Sequence, residues 1–178
     1  MPGVYEVILL PEGKVHSLYG SRGNYYQLPD DLALTVCAVP VWCRRCQTFF
    51  EGEDIGSVQG LEQEVTDYSD INSAGSRRIL EISLLRNDTA DLAELLAESK
   101  TRLEWRIGRI APPKCLECGT TDIVHLGEGQ EIASPCSPGT LTITCVGMCS
   151  TAFNNHYYTP EGDRIPMETQ PSRWHMSE

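Results

Sequence analysis

Eight cysteines occur in this chain of 178 residues, and four of them stand in two pairs with Cys-x2-Cys spacing: Cys43 with Cys46, and Cys115 with Cys118. Two intervening residues allow a tight turn that points both sulfurs to one side. The N–H groups of such a turn can stabilise thiolate charge by hydrogen bonding. A zinc ion takes four thiolate or imidazole ligands in a tetrahedron, and soft sulfur suits it. One pair supplies half of such a site, and two pairs brought together supply all of it. The chemistry expected of Cys43, Cys46, Cys115 and Cys118 is therefore Zn2+ binding. Its role would be structural, because four thiolates leave no position open for water or substrate.

The second pair lies in Lys114-Cys115-Leu116-Glu117-Cys118-Gly119, where glycine follows the second cysteine and accepts a positive φ. The first lies in Trp42-Cys43-Arg44-Arg45-Cys46, after an apolar run but with Gln47 in the place of that glycine. The stretch around Cys115, Cys118 and Gly119 resembles a zinc-ribbon knuckle. The resemblance covers about a dozen residues and implies a type of metal site rather than a family. Joining the two knuckles means spanning positions 47 to 114, 68 residues. Loop-closure entropy grows only logarithmically with length, so a folded insertion can bridge that span.

Other groupings stay open at this point. Cys115 and Cys118 could instead join Cys145 and Cys149. Cys136, Cys145 and Cys149 could form a second set completed by His125 or His156. Cys37, in an apolar run, is expected to be a buried thiol, since cysteine packs as a small hydrophobe. Cys43 and Cys46 also resemble a thioredoxin-type dithiol, in which the first thiol sits at a helix N-terminus. That motif should open a helix within a βαβ unit, and here Gly52 soon follows with no such unit upstream. His16, His125, His156 and His175 have neither metalloprotease spacing nor an adjoining nucleophile. No catalytic residue is assigned.

The elements that must position these cysteines read as α+β: antiparallel sheet, one main amphipathic helix and a zinc-ribbon-like four-cysteine centre. Val4 to Leu9 and Val15 to Tyr19 flank Pro11-Glu12-Gly13-Lys14, a turn with proline to set the first torsion and glycine to take positive φ. Pro160-Glu161-Gly162-Asp163 repeats the device near the other end. Gly20 to Asp31 reads as a loop, and Leu32 to Trp42 as one central strand leading to Cys43. Ser57 can cap a short helix through Leu61, Val65 and Tyr68. Asp67 to Gly75 reads as an acidic loop, and Ile79 to Leu85 fits either strand or helix. The main helix is expected from Thr89 to Ile107, with Asp88 as N-cap and Asp91 three residues later. Leu92, Leu95, Leu96, Leu103 and Ile107 share one face, which implies core packing. Glu98 and Arg102 can pair at i,i+4, and Pro112-Pro113 ends the helix. Short strands are expected at Ile123–Leu126 and Thr140–Thr144. Residues 1–166 thus form a single domain, with 47–110 as a helical and acidic insertion and 167–178 as a loose tail.

The formal charge is −11 and unevenly placed. Residues 47–76 hold seven acids and no Lys or Arg, whereas 77–114 hold eight bases against six acids. Most of this surface repels a phosphate backbone, and an acidic face suits a basic partner. The start lacks a basic n-region, and no run approaches the roughly 18 apolar residues of a membrane span. The expected location is cytoplasmic, where thiols stay reduced and eight cysteines suggest metal rather than disulfides. The functional expectation is a structural zinc protein acting as a non-enzymatic protein-interaction or adaptor module. Two alternatives remain. One is a nucleic-acid-associated zinc ribbon using Arg44, Arg45 and the 77–114 segment, and the other is a dithiol oxidoreductase at Cys43 and Cys46.

Overall fold

The computed structural model describes residues 3–19, 22–86, 91–129, 131–148 and 154–166. The chain divides into two compact units, Met1–Asp54 with Ala111–Glu178, and Ile55–Ile110. The first unit is built of β-structure. In order its strands are β1 (Gly3–Leu10), β2 (Lys14–Tyr19), β3 (Arg22–Gln27), β4 (Ala33–Thr35), β5 (Ala38–Cys43), β6 (Thr48–Glu53), β7 (Ile123–His125), β8 (Ile132–Ala133), β9 (Thr140–Met148) and β10 (Asn154–Tyr158). Among the described residues they form three sheets, ordered β2-β1-β9-β8, β10-β3-β4 and β6-β5-β7. Every pairing there is antiparallel except that of β10 with β3.

Both proline-glycine turns form. Gly13 has φ +67° and its N–H donates to the Leu9 carbonyl at 2.7 Å, closing β1 onto β2. Gly162 has φ +80°, and the Ile165 N–H returns to the Tyr157 carbonyl at 2.8 Å. The core follows strand parity. On β1, Val7 and Leu9 face inward and lie opposite Ile143 and Leu141 of β9. Trp42, Phe49 and Leu126 join this cluster, with the Trp42 and Phe49 rings edge-on at 4.9 Å.

The expected single strand from Leu32 to Trp42 is two strands in two sheets. The backbone changes partners between them: the Val36 N–H donates to Asn24, whereas the Cys37 carbonyl accepts from Asp54, each at 2.8 Å. Parity through this stretch buries Leu34 and Val36 and exposes Thr35 and Cys37. The expected burial of Cys37 is thereby overturned, since its side chain falls on the outward face. The expected loop from Gly20 to Asp31 contains β3, whose inward residues are Asn24 and Tyr26.

The second unit is helical: α1 (Val58–Ser69), α2 (Ala74–Arg86) and α3 (Leu92–Gly108). Among the described residues the expected main helix is α3 and the expected short helix after Ser57 is α1, with α2 as a third. Ser57 caps α1, its hydroxyl accepting from the Gly60 N–H at 3.0 Å. The expected acidic loop from Asp67 to Gly75 is mostly helix ends. Only Asp70 to Ser73 form the turn, and the fully buried Ser76 donates to the Asp67 carbonyl across it. Ile79 to Leu85 is helical. Asp91, in extended conformation, is the N-cap of α3, so the helix starts at Leu92 rather than Thr89. Asp88 and Thr89 lie outside the described residues. Glu98 and Arg102 pair at 2.9 Å. Ile107 is 63 % exposed, whereas Trp105 is buried beneath the Arg109 guanidinium at 5.1 Å, which corrects the end of the expected apolar face. No helix among the described residues is long and apolar enough to cross a membrane.

Candidate metal centre

Cys43 is the last residue of β5, and β6 begins at Thr48, so the first Cys-x2-Cys pair occupies a β-hairpin turn. The Gln47 N–H donates to the Cys43 carbonyl at 2.8 Å, and the Cys46 N–H points at the Cys43 sulfur at 3.3 Å. Gln47 itself has φ +54°. Its side-chain amide donates to the Arg44 carbonyl, which ties the glutamine across its own turn. The second pair repeats this arrangement. The Gly119 N–H donates to the Cys115 carbonyl at 2.9 Å, and Gly119 has φ +70°. The residue after the second cysteine thus has the same backbone role in both knuckles, with and without glycine.

Backbone pairing brings the knuckles together. Downstream of the second knuckle, β7 pairs with β5, placing Ile123 opposite Cys43. Upstream, the Glu53 N–H donates to the Lys114 carbonyl at 2.9 Å and the Leu116 N–H to the Glu51 carbonyl at 3.1 Å. The Arg44 N–H reaches the Asp122 carbonyl at 3.1 Å, with an exposed Arg44–Asp122 ion pair at 3.5 Å beside it. The second knuckle is therefore held on both flanks against the hairpin that carries the first.

The result is a compact cluster. One ligand atom from each of Cys43, Cys46, Cys115 and Cys118 lies within 4.8 Å of the others. The Cys43 and Cys118 sulfurs are 3.6 Å apart. A disulfide needs about 2.05 Å, while a tetrahedron with zinc–sulfur bonds of about 2.3 Å has edges near 3.8 Å. The spacing suits a tetrathiolate. Cys43 and Cys115 are buried, and Cys46 and Cys118 are half-buried at the rim.

The four thiols are not equivalent. Burial pushes Cys115 up to about 11, against the opposing pull of N–H groups from Cys118 and Glu117. Burial also raises Cys46, reinforced by thiol contacts with Cys118 and Cys43. Cys118 feels the same burial, but the Thr120 N–H and the surrounding thiols outweigh it and hold this sulfur below the ordinary range. One sulfur in the cluster thus favours the thiolate while two neighbours resist ionising. A divalent cation at the centre would reverse that resistance by stabilising all four anions.

The remaining candidates fall outside this arrangement. Among the described residues, the four-cysteine set is the one group of histidines, cysteines or carboxylates with metal-ligand spacing. The Cys136 sulfur lies 3.3 Å from the Ser134 hydroxyl, and the Cys145 thiol donates to the Gly147 carbonyl at 3.4 Å. Cys149 and His175 lie outside the described residues. His156 is buried against Arg164 at 2.7 Å, His16 packs on Phe49, and His125 is exposed at the end of β7. Sequence reading missed the buried residues that flank the second knuckle, chiefly Glu53, Tyr26 and Tyr158. No motif marks them, because an isolated acid or tyrosine carries no spacing signal.

No protein-family model, curated protein or solved structure matches the chain.

Proposed function

We propose that this chain is a structural zinc protein that works as a non-enzymatic protein-interaction or adaptor module. The observation that carries this reading is the convergence of four cysteine sulfurs, from two turns 68 residues apart, within 4.8 Å. Buried thiols have no reason to gather at tetrahedral spacing for packing alone. An all-sulfur tetrahedron suits zinc or iron–sulfur chemistry, and the turn N–H groups directed at the sulfurs match what thiolate ligands require.

A structural rather than catalytic role follows from the ligand count, because four thiolates saturate the ion. A thioredoxin-like role for Cys43 and Cys46 lacks its physical basis. The pair lies between two strands and does not open a helix, as that motif requires. Nucleic-acid binding is disfavoured by the net charge of −11. Arg44 already has a local partner in Asp122, at 3.5 Å. With catalysis and phosphate binding disfavoured, the acidic surface is the feature left for a partner, and it suits a basic protein.

Elemental analysis of protein purified under reducing conditions tests the reading. The expected content is about one zinc per chain, released by chelator with loss of thermal stability. A metal-free, stable protein with a reducible Cys43–Cys46 disulfide would overturn it, and so would stoichiometric iron.

A further inference from the structure

One more assignment rests on the zinc reading above and concerns a buried acid beside the second knuckle. Glu53 ends β6 with its side chain fully buried, an unusual place for a carboxylate. Both oxygens accept short hydrogen bonds. Oε1 accepts from the Tyr26 hydroxyl at 2.7 Å, and Oε2 accepts from the backbone N–H of Lys114 at 2.7 Å. The Glu53 N–H also donates to the Lys114 carbonyl at 2.9 Å. Glu53 thus grips both backbone groups of the residue that immediately precedes Cys115.

The grip is anchored outside the knuckle. Tyr26 belongs to β3 and is 1 % exposed. Tyr158, from the neighbouring β10, donates to the Leu116 carbonyl at 3.1 Å, just after the cysteine. Lys114 is held at its other end by Asp163, 2.5 Å from its ammonium. Cys115 therefore sits between two residues whose backbones are fixed by the β10-β3-β4 sheet and by the end of β6. Cys43 ends β5 and is paired with both β6 and β7, whereas Cys115 makes an isolated bridge to Gly52.

We infer that Glu53 is a positioning residue of the metal centre: braced by Tyr26, its carboxylate fixes Lys114 and thereby aims the Cys115 sulfur at the other three. A hydrogen-bonding role of this kind survives replacement by glutamine. The glutamine oxygen can accept from the Lys114 N–H while its amide donates to the Tyr26 oxygen. Alanine keeps neither contact. Partners one shell out from a metal ligand commonly change metal affinity by about 10- to 100-fold.

The test uses the full zinc-loaded chain and measures the rate of zinc transfer to a chromogenic chelator at neutral pH. Relative to wild type, Glu53→Ala should transfer zinc about ten-fold faster and Tyr26→Phe about three-fold faster, with Glu53→Gln close to wild type. Asp91→Ala, which removes the N-cap of α3 in the helical unit, should leave the rate unchanged. Wild-type rates in Tyr26→Phe and Glu53→Ala would overturn the inference, as would equal acceleration in Asp91→Ala, which would mark a general stability effect. If Glu53→Ala does not fold, Tyr26→Phe and Glu53→Gln decide. A wild-type chain that takes up no zinc would be a different result, overturning the zinc reading itself together with this one.

Discussion

Gln47 and Gly119 occupy equivalent places, each just after the second cysteine of a knuckle, with φ of +54° and +70°. A residue with a Cβ pays about 1 kcal/mol for this region of backbone space, and glycine does not. Gln47 offsets that strain with its amide on the Arg44 carbonyl. A Cβ on Gly119 would meet open space, so substitution there tests the backbone alone. Gly119→Ala should destabilise the zinc-loaded protein by about 1 kcal/mol in urea denaturation, and an unchanged midpoint would contradict the shared knuckle geometry. Glycine at 119 was legible in the sequence because its type advertises the conformation. Glutamine at 47 hid the same conformation behind a residue that seldom adopts it. The thiols make a second prediction at this scale. In metal-free, reduced protein, burial keeps Cys115 near 11 and Cys46 also raised, against one lowered thiol, Cys118. A raised thiol stays protonated in the fold where the unfolded chain ionises, above about 8.5. Its contribution is full below that pH and is lost as pH rises towards 11. The melting temperature of the metal-free protein should therefore fall across that window. Zinc reverses the sign, because it displaces those protons: its affinity rises with pH and collapses in acid. Melts with chelator and with zinc across the pH range check both directions, and a common sign in the two would count against a thiolate site.

The helices and strands differ in how openly the sequence declares them. Amphipathic spacing and a good cap made α1 and α3 readable, although α3 begins at Leu92 because Asp91 holds the capping position. The Asp91 carboxylate accepts from the Ala93 N–H at 2.8 Å and from the Glu94 N–H at 3.4 Å. Asp91→Ala should cost about 1 kcal/mol, seen as faster amide exchange confined to the first turn of α3; unchanged exchange would remove the cap from the account. The strands β3 and β6 were hidden for a physical reason. Their inward residues include Asn24 and Glu53, polar side chains that a hydrophobic alternation cannot flag. Burying them is tolerable only because Tyr26 and the Lys114 backbone satisfy Glu53, which becomes visible only once distant segments meet. The apolar run from Leu32 to Trp42 misled in the opposite sense. It is continuous in composition, but its backbone partners change at Cys37, and composition does not encode partner exchange. The parallel pairing of β10 with β3 was likewise invisible, since it joins segments more than 120 residues apart.

At the scale of the molecule, the central question is how Cys43 and Cys46 find Cys115 and Cys118 across 68 residues. Helices account for much of that span: Ile55–Ile110 is a compact unit of its own, and its flanks are tied by the Glu53–Lys114 pairing. A folded insertion returns the chain near its point of departure, so the metal closes a short gap rather than a long flexible loop. The sequence carried the four cysteines and their spacing, which was enough to name the set. It did not carry the strand pairing that selects this set over one including Cys145, because register is a property of the assembled sheets. The most direct measurement is the zinc content of purified Cys43→Ser beside the wild type. One zinc per chain in the wild type and well below one in Cys43→Ser is the result this structure predicts. A full zinc equivalent retained in Cys43→Ser would contradict it and would place the ion among other cysteines.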